Sequence, residues 1–265
     1  MRLLTAEEKK MKSKIVTDWL VRYTGMPLES FGEYILLVNF KHYLTSFSEH
    51  YGVPIFGEDK PMQAATAKNI TIINFGMGSA NTATVMDCLT AIKPKACLFL
   101  GKCGSLKEKI PVGSLLLPIG AIRGEGTSND YLPVEVPALP ALQLEKAVSH
   151  VIKKYAQDYY SGVVYTTNRR VWEHDEDFKD KLKLMRATAI DMETATLFIT
   201  GFSNDIPTGA LLLVSDQPMT PEGIKTQNSD KKVTTNYSLL HLKIGVDSLK
   251  QIMESGESIK HLKFN

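Results

Sequence analysis

The sequence predicts an α/β protein, and three observations carry that prediction. Aliphatic runs at 70–75, 96–100 and 211–214 alternate with longer segments of helical period, the pattern of strands covered by helices. Two of these runs break off abruptly, the first into Gly76-Met77-Gly78-Ser79 and the last into Ser215-Asp216-Gln217-Pro218, where the proline stops the strand. The 265 residues, 43% hydrophobic and 23% charged, are enough for one large domain or two small ones. No repeat or linker divides them, so 1–265 reads as a single domain, with an N-terminal helix and arm at 1–30 and a polar tail at 254–265.

The elements follow in order. A helix is expected over 5–22, with Thr5 as N-cap, Glu8 three residues on, an apolar side of Ile15, Trp19 and Leu20, and Gly25 and Pro27 beyond its end. Residues 34–47 read as a strand at 35–38 that turns helical. Its Asn39, Lys41, His42 and Tyr43 either reach a site or face solvent or another subunit. The strand at 70–75 runs through the glycine turn into a helix at 80–92, a cradle whose free backbone N–H groups suit an anion or a sugar. Asn81 stands where a dinucleotide fingerprint needs its third glycine, and no Walker A motif occurs, which excludes those readings. Strands at 96–100, 114–119 and 162–167 follow, with a helix at 141–155 and a closing amphipathic helix at 234–253. The polar stretch 219–232 reads as a flexible lid.

Composition excludes several classes. A net charge of +2 does not argue for nucleic acid, and no apolar run reaches membrane-spanning length. Cys88, Cys97 and Cys103 lack C-x-x-C spacing, which fits a reducing cytoplasm. The six histidines show no metal spacing, and no G-x-S-x-G occurs.

The chemistry-bearing residues stand late in the chain. Asp191 and Glu193 interrupt a small apolar run, and Asp216 ends a buried strand, where α/β proteins place ligands. Buried carboxylates are expensive unless paired or used. The bland alternative is a turn-capping Asp216 with Asp191 and Glu193 on a solvated helix face. The segment 123–131 is dense in phosphate- and sugar-binding groups, among them Arg123, Thr127 and Ser128, though a solvated surface loop explains it equally well. Arg169 and Arg170 suit a phosphate held by guanidinium, or a surface or interface pair.

Asp191-Met192-Glu193 and Val214-Ser215-Asp216 resemble the hallmark pair of the nucleoside phosphorylase and nucleosidase superfamily, and the likeness extends over most of the chain. Within it the chain looks most like the AMP nucleosidases, a likeness that Thr166-Thr167, an Arg and Trp172-Glu173 also carry. The resemblance implies a three-layer α/β/α fold around a central mixed, twisted sheet. It implies hydrolysis of the N-glycosidic bond of AMP, without metal or organic cofactor, by a homo-oligomer, commonly a hexamer built from dimers. Asp216, with Ser215 beside it, would be the general acid towards purine N7, its pKa raised if the site is water-poor. Glu193 would accept the ribose hydroxyls, Met192 would pack on the sugar and Asp191 would orient the site or hold water. Gly76 and Gly78 would form the first substrate-side loop, and Trp172 would stack on the base. Arg170, Arg123, Thr127 and Ser128 would hold the 5′-phosphate, with Arg169 nearby.

In phosphorylases of this superfamily an arginine and a serine or threonine hold the free phosphate; here Phe99 and Lys102 stand at those positions, which favours water as nucleophile. No residue is assigned to activate that water. A nucleoside phosphorylase and a catalytically silent nucleotide-binding protein of the same fold remain the competing readings.

Overall fold

The computed structural model describes residues 5–256. Thr5 caps the first helix, α1 (Ala6–Thr24): its N–H donates to Glu8 Oε2 at 2.7 Å and the Glu8 N–H donates to Thr5 Oγ1 at 3.2 Å. This is the reciprocal capping expected, and Gly25 closes the helix at φ 66°. The chain continues through β1 (Tyr34–Val38), α2 (Lys41–Tyr51), β2 (Gln63–Ala67), β3 (Ile70–Asn74), α3 (Ser79–Leu89), β4 (Ala96–Ser105), β5 (Leu115–Gly124) and α4 (Leu142–Lys154). It ends with β6 (Tyr159–Thr167), α5 (Glu176–Leu184), β7 (Ala189–Asp191), α6 (Thr194–Ser203), β8 (Thr208–Asp216) and α7 (Gln227–Ser255).

The strands form one mixed eight-stranded sheet in the order β2-β3-β1-β4-β7-β6-β5-β8, and β4 also pairs with β8. The second half of the sheet therefore closes on itself, while β1, β3 and β2 extend from it. β1 lies parallel to β3 and β4, and β4 parallel to β8, whereas β2 and β7 run antiparallel to β3 and β4.

Period-two alternation divides the core into two layers. Ile35 and Leu37 of β1, Phe99 of β4, and Leu212 and Val214 of β8 pack with Val85, Met86 and Leu89 of α3 and Leu197 and Phe198 of α6. Leu36 and Val38, Leu98 and Leu100, and Leu211 and Leu213 face the other way, against α2, α4 and α7. Strands buried on both faces read as continuous aliphatic runs, which is why they stand out in the sequence.

Three expectations change. β4 does not end at Leu100: Gly101, Lys102, Cys103 and Gly104 continue it, because β8 pairs alongside them. β5 likewise extends to Gly124, placing Arg123 on the strand. α7 starts at Gln227, where Thr226 and Ser229 cap it, so half of the expected lid is helix. β2 and α5 have no counterpart in the sequence reading: β2 is defined by pairing with β3, and α5 starts at Asp175, which accepts the Phe178 N–H at 2.9 Å, and buries Phe178 and Leu182. Among the described residues no helix is long and apolar enough to cross a membrane. The tail placed at 254–265 lies, from 257 on, outside the described residues.

Candidate active site

A cavity of about 270 Å³ opens where the carboxyl ends of several strands converge. Asn39 and Phe40 follow β1, Lys102 and Gly104 lie late on β4, Thr167 ends β6, Asp191 ends β7 and Asp216 ends β8; all line it. β1 and β6 lie on either side of β4 and β7 in the sheet. Asn39 and Phe40 therefore form one end of the cavity, and the segment after β6, with Trp172, the other.

Asp216 and Glu193 open into the same cavity, not into separate ones. Asp216 is 9% exposed. Its Oδ1 accepts from the Ser215 hydroxyl at 2.6 Å and faces Lys225 Nζ at 3.3 Å. Gly104 lies against it: a Cβ there would come within 2.9 Å of Pro218 Cγ and 3.2 Å of Asp216 Oδ2. The close pairing of β4 with β8 that brings Asp216 into the cavity thus requires glycine at this position.

Glu193 is 2% exposed and precedes the first turn of α6. Its Oε1 accepts the Gly78 N–H at 2.7 Å and its Oε2 accepts the Met192 N–H at 3.3 Å. Burial, and then the neighbouring Asp191 charge, push its pKa up to about 8. Asp191 is fully engaged: Thr166 Oγ1 donates to Oδ1 at 2.7 Å, and the Thr194 N–H donates to Oδ2 at 2.8 Å, joined there by the Thr194 hydroxyl. Burial raises its pKa too, and these donors oppose the rise. Asp191 therefore ties β6, β7 and α6 together. Neither the capped-turn nor the solvated-face alternative describes these three carboxylates, which are buried and share the cavity.

Gly76 and Gly78 adopt φ 84° and 93°, the region that favours glycine. Met77, not the glycines, lines the cavity, while Gly78 acts through its N–H on Glu193. Met192 lines the cavity, and its carbonyl accepts from Ser79 Oγ at 2.7 Å. Trp172 is buried against Phe178, ring centroids 5.4 Å apart, and lines the cavity. Arg169 and Arg170 line the cavity from its rim, each with a local carboxylate: Asp175 at 2.7 Å and Glu173 at 3.3 Å.

Three expected phosphate ligands lie elsewhere. Arg123 donates to the carbonyls of Leu132, Pro133 and Val136, to Asn129 Oδ1 and, through Nε, to Ser128 Oγ at 2.9 Å. It is a loop organiser, and neither it nor Thr127 nor the buried Ser128 lines the cavity. Free carbonyls in a proline-rich connection attract a guanidinium as a phosphate does, and composition alone does not separate the two.

The cationic side of the cavity comes instead from residues far apart in the chain. Lys102 is 6% exposed, and its Nζ donates to Asp230 at 2.9 Å and Thr234 at 2.8 Å and sits 4.6 Å from the Phe40 ring centroid. Burial lowers its pKa, with the Asp230 carboxylate opposing. Lys225 lies between Asp216 and Asp230, 3.3 and 4.0 Å away. Lys225 and Asp230 fall in the stretch read as a lid, and the only local signal for them was the helix start now seen at Thr226. Phe99 is core, packed on Phe75 at 5.8 Å.

Residues 25–250 match the model of the phosphorylase superfamily. The chain is 26% identical to AMP nucleosidase of Escherichia coli K12 over 92% of its own length, and spans only 60% of that protein. The crystal structure of AMP nucleosidase from Bacteroides thetaiotaomicron VPI-5482 superposes with a TM-score of 0.84 at 54% identity, covering 92% of this chain and 99% of that one. Uridine phosphorylase from Vibrio fischeri ES114 shares the fold, with a TM-score of 0.75 at 21% identity over 84% of this chain and 93% of its own. A match over this much of the sequence, together with carboxylates converging at the strand ends, assigns the family: the chain belongs to the phosphorylase superfamily.

Proposed function

We propose that the protein hydrolyses the N-glycosidic bond of AMP to adenine and ribose 5-phosphate, a step of purine nucleotide turnover. The observation that carries this reading is the meeting of Asp216, Glu193 and Trp172 in one cavity. The 54% identity to an AMP nucleosidase structure supports it and directs it to this substrate.

The leaving base needs a proton, the oxocarbenium-like sugar needs stabilisation, and water must reach the anomeric carbon from the face opposite the base. Asp216 gives its proton to purine N7 while Trp172 flanks the base. Glu193, protonated below about pH 8, hydrogen-bonds the ribose hydroxyls, and Met192 packs on the sugar. Arg169 and Arg170, already at the rim, hold the 5′-phosphate. Asp191 orients Glu193. Phosphate is not the nucleophile in this reading: Phe99 offers it no donor, and Lys102 is engaged by Asp230 and Thr234.

The test is release of adenine from AMP with and without added phosphate. The expected result is phosphate-independent release with ribose 5-phosphate as the second product. Release only with phosphate would replace hydrolysis by phosphorolysis, and no release would leave a nucleotide-binding protein.

A further inference from the structure

Hydrolysis needs a group that takes a proton from the attacking water, and we infer that Asp230 is that general base; the inference rests on the hydrolytic reading above. The carboxylates lining the cavity among the described residues are Glu173, Asp191, Glu193, Asp216 and Asp230. Asp191 is held at both oxygens by Thr166 and Thr194, and Glu193 at both by Gly78 and Met192. Glu173 accepts the Trp172 N–H on Oε2 at 2.9 Å and Arg170 on Oε1. Asp216 is the acid. Asp230 alone remains, and its surroundings suit the role. Both lysines approach its Oδ1, at 2.9 and 4.0 Å, and no described residue hydrogen-bonds its Oδ2.

Its place fits the stereochemistry. Through Lys102 and Phe40, Asp230 belongs to the end of the cavity away from Trp172, beyond the sugar pocket at Met192 and Glu193. Lys225, 3.3 Å from Asp216 Oδ1 and 4.0 Å from Asp230 Oδ1, bridges the two carboxylates. In the step, water oxygen bonds to the anomeric carbon as the bond to the purine nitrogen breaks. The electron pair of that bond passes into the base, Asp216 delivers its proton to N7, and Asp230 Oδ2 takes the water proton. Solvent then returns both carboxyls to their starting states. Lys102, buried and hydrogen-bonded to Asp230 and Thr234, is a positioning residue that fixes the start of α7 against β4.

The experiment measures adenine release from AMP by the wild type, Asp230→Asn and Asp230→Ala, with thermal unfolding to verify folding and with formate added as a small external base. The expected result is a loss of roughly 100- to 10,000-fold in kcat in both variants, with KM for AMP little changed. Formate should restore turnover in Asp230→Ala in proportion to its concentration, which a purely structural role would not produce. Turnover of Asp230→Asn within about tenfold of wild type, or an Asp230→Ala defect that formate leaves unmoved, overturns the assignment. Silence of the wild type itself would instead remove the nucleosidase reading, and this base with it.

Discussion

Replacing Glu193 by glutamine separates the electrostatics of the site from its packing. Glu193 is 2% exposed, and burial, then Asp191, push its pKa up to about 8. In the unfolded chain a glutamate titrates near ~4.3. Its folded value is the higher one, so between those limits the native state holds the extra proton. The stability this contributes is complete below about pH 4 and is lost as pH rises towards about 8. One proton corresponds to on the order of 1 kcal/mol per pH unit, hence to a few kcal/mol between about pH 5 and pH 8. Glutamine cannot ionise, yet its Oε1 can still accept the Gly78 N–H. The stability difference, Glu193→Gln minus wild type, should therefore grow by a few kcal/mol across that window, the other titrating groups largely cancelling in the subtraction. For a domain of this size each kcal/mol appears as about 2–4 °C in Tm. Thermal unfolding of both proteins at about pH 5 and about pH 8 measures it. A difference equal at the two pH values would refute the claim that Glu193 is held protonated by its surroundings. In the same variant kcat should fall above about pH 8, where the wild-type side chain is a carboxylate and the amide is the weaker acceptor for the ribose hydroxyls.

Three further substitutions probe the rest of the cavity. Asp216→Asn keeps the shape but cannot deliver a proton, so kcat should drop by roughly 100- to 10,000-fold with AMP binding retained; near-normal turnover would end its role as acid. Arg170→Ala should reduce the preference for AMP over adenosine by about 10- to 100-fold, the worth of a charge-assisted hydrogen bond, and an unchanged ratio would move the phosphate elsewhere. Gly104→Ala places a Cβ 2.9 Å from Pro218 Cγ and 3.2 Å from Asp216 Oδ2, so it should lower kcat by displacing the acid, and wild-type kinetics would show that the strands yield without disturbing it.

Some of the molecule was legible without coordinates because its signals are local. The doubly buried strands leave aliphatic runs, Thr5 and Glu8 spell out a capping box, and Ser215-Asp216-Gln217-Pro218 marks a strand that stops on an acid. Asp216 and Glu193 were recognisable for the same reason: a charge set in apolar sequence stands out within a few residues. The glycine turn at Gly76-Met77-Gly78 was readable as a cradle, although its contribution to the site is one N–H aimed at Glu193.

What only the tertiary structure decided is where each long polar side chain finds its partner. Arg123 resembles a phosphate ligand until the carbonyls of Leu132, Pro133 and Val136 come within its reach. Lys102 is a lone cation on a strand until Asp230, 128 residues later, is folded onto it. Closure of the sheet through β4 and β8 and the edge strand β2 depend likewise on pairing across the chain. Hydrophobic period and capping are properties of neighbouring residues, so the sequence carries them outright. The pairing of charges and of strand edges is chosen among distant alternatives, and it exists only once packing has brought the groups together.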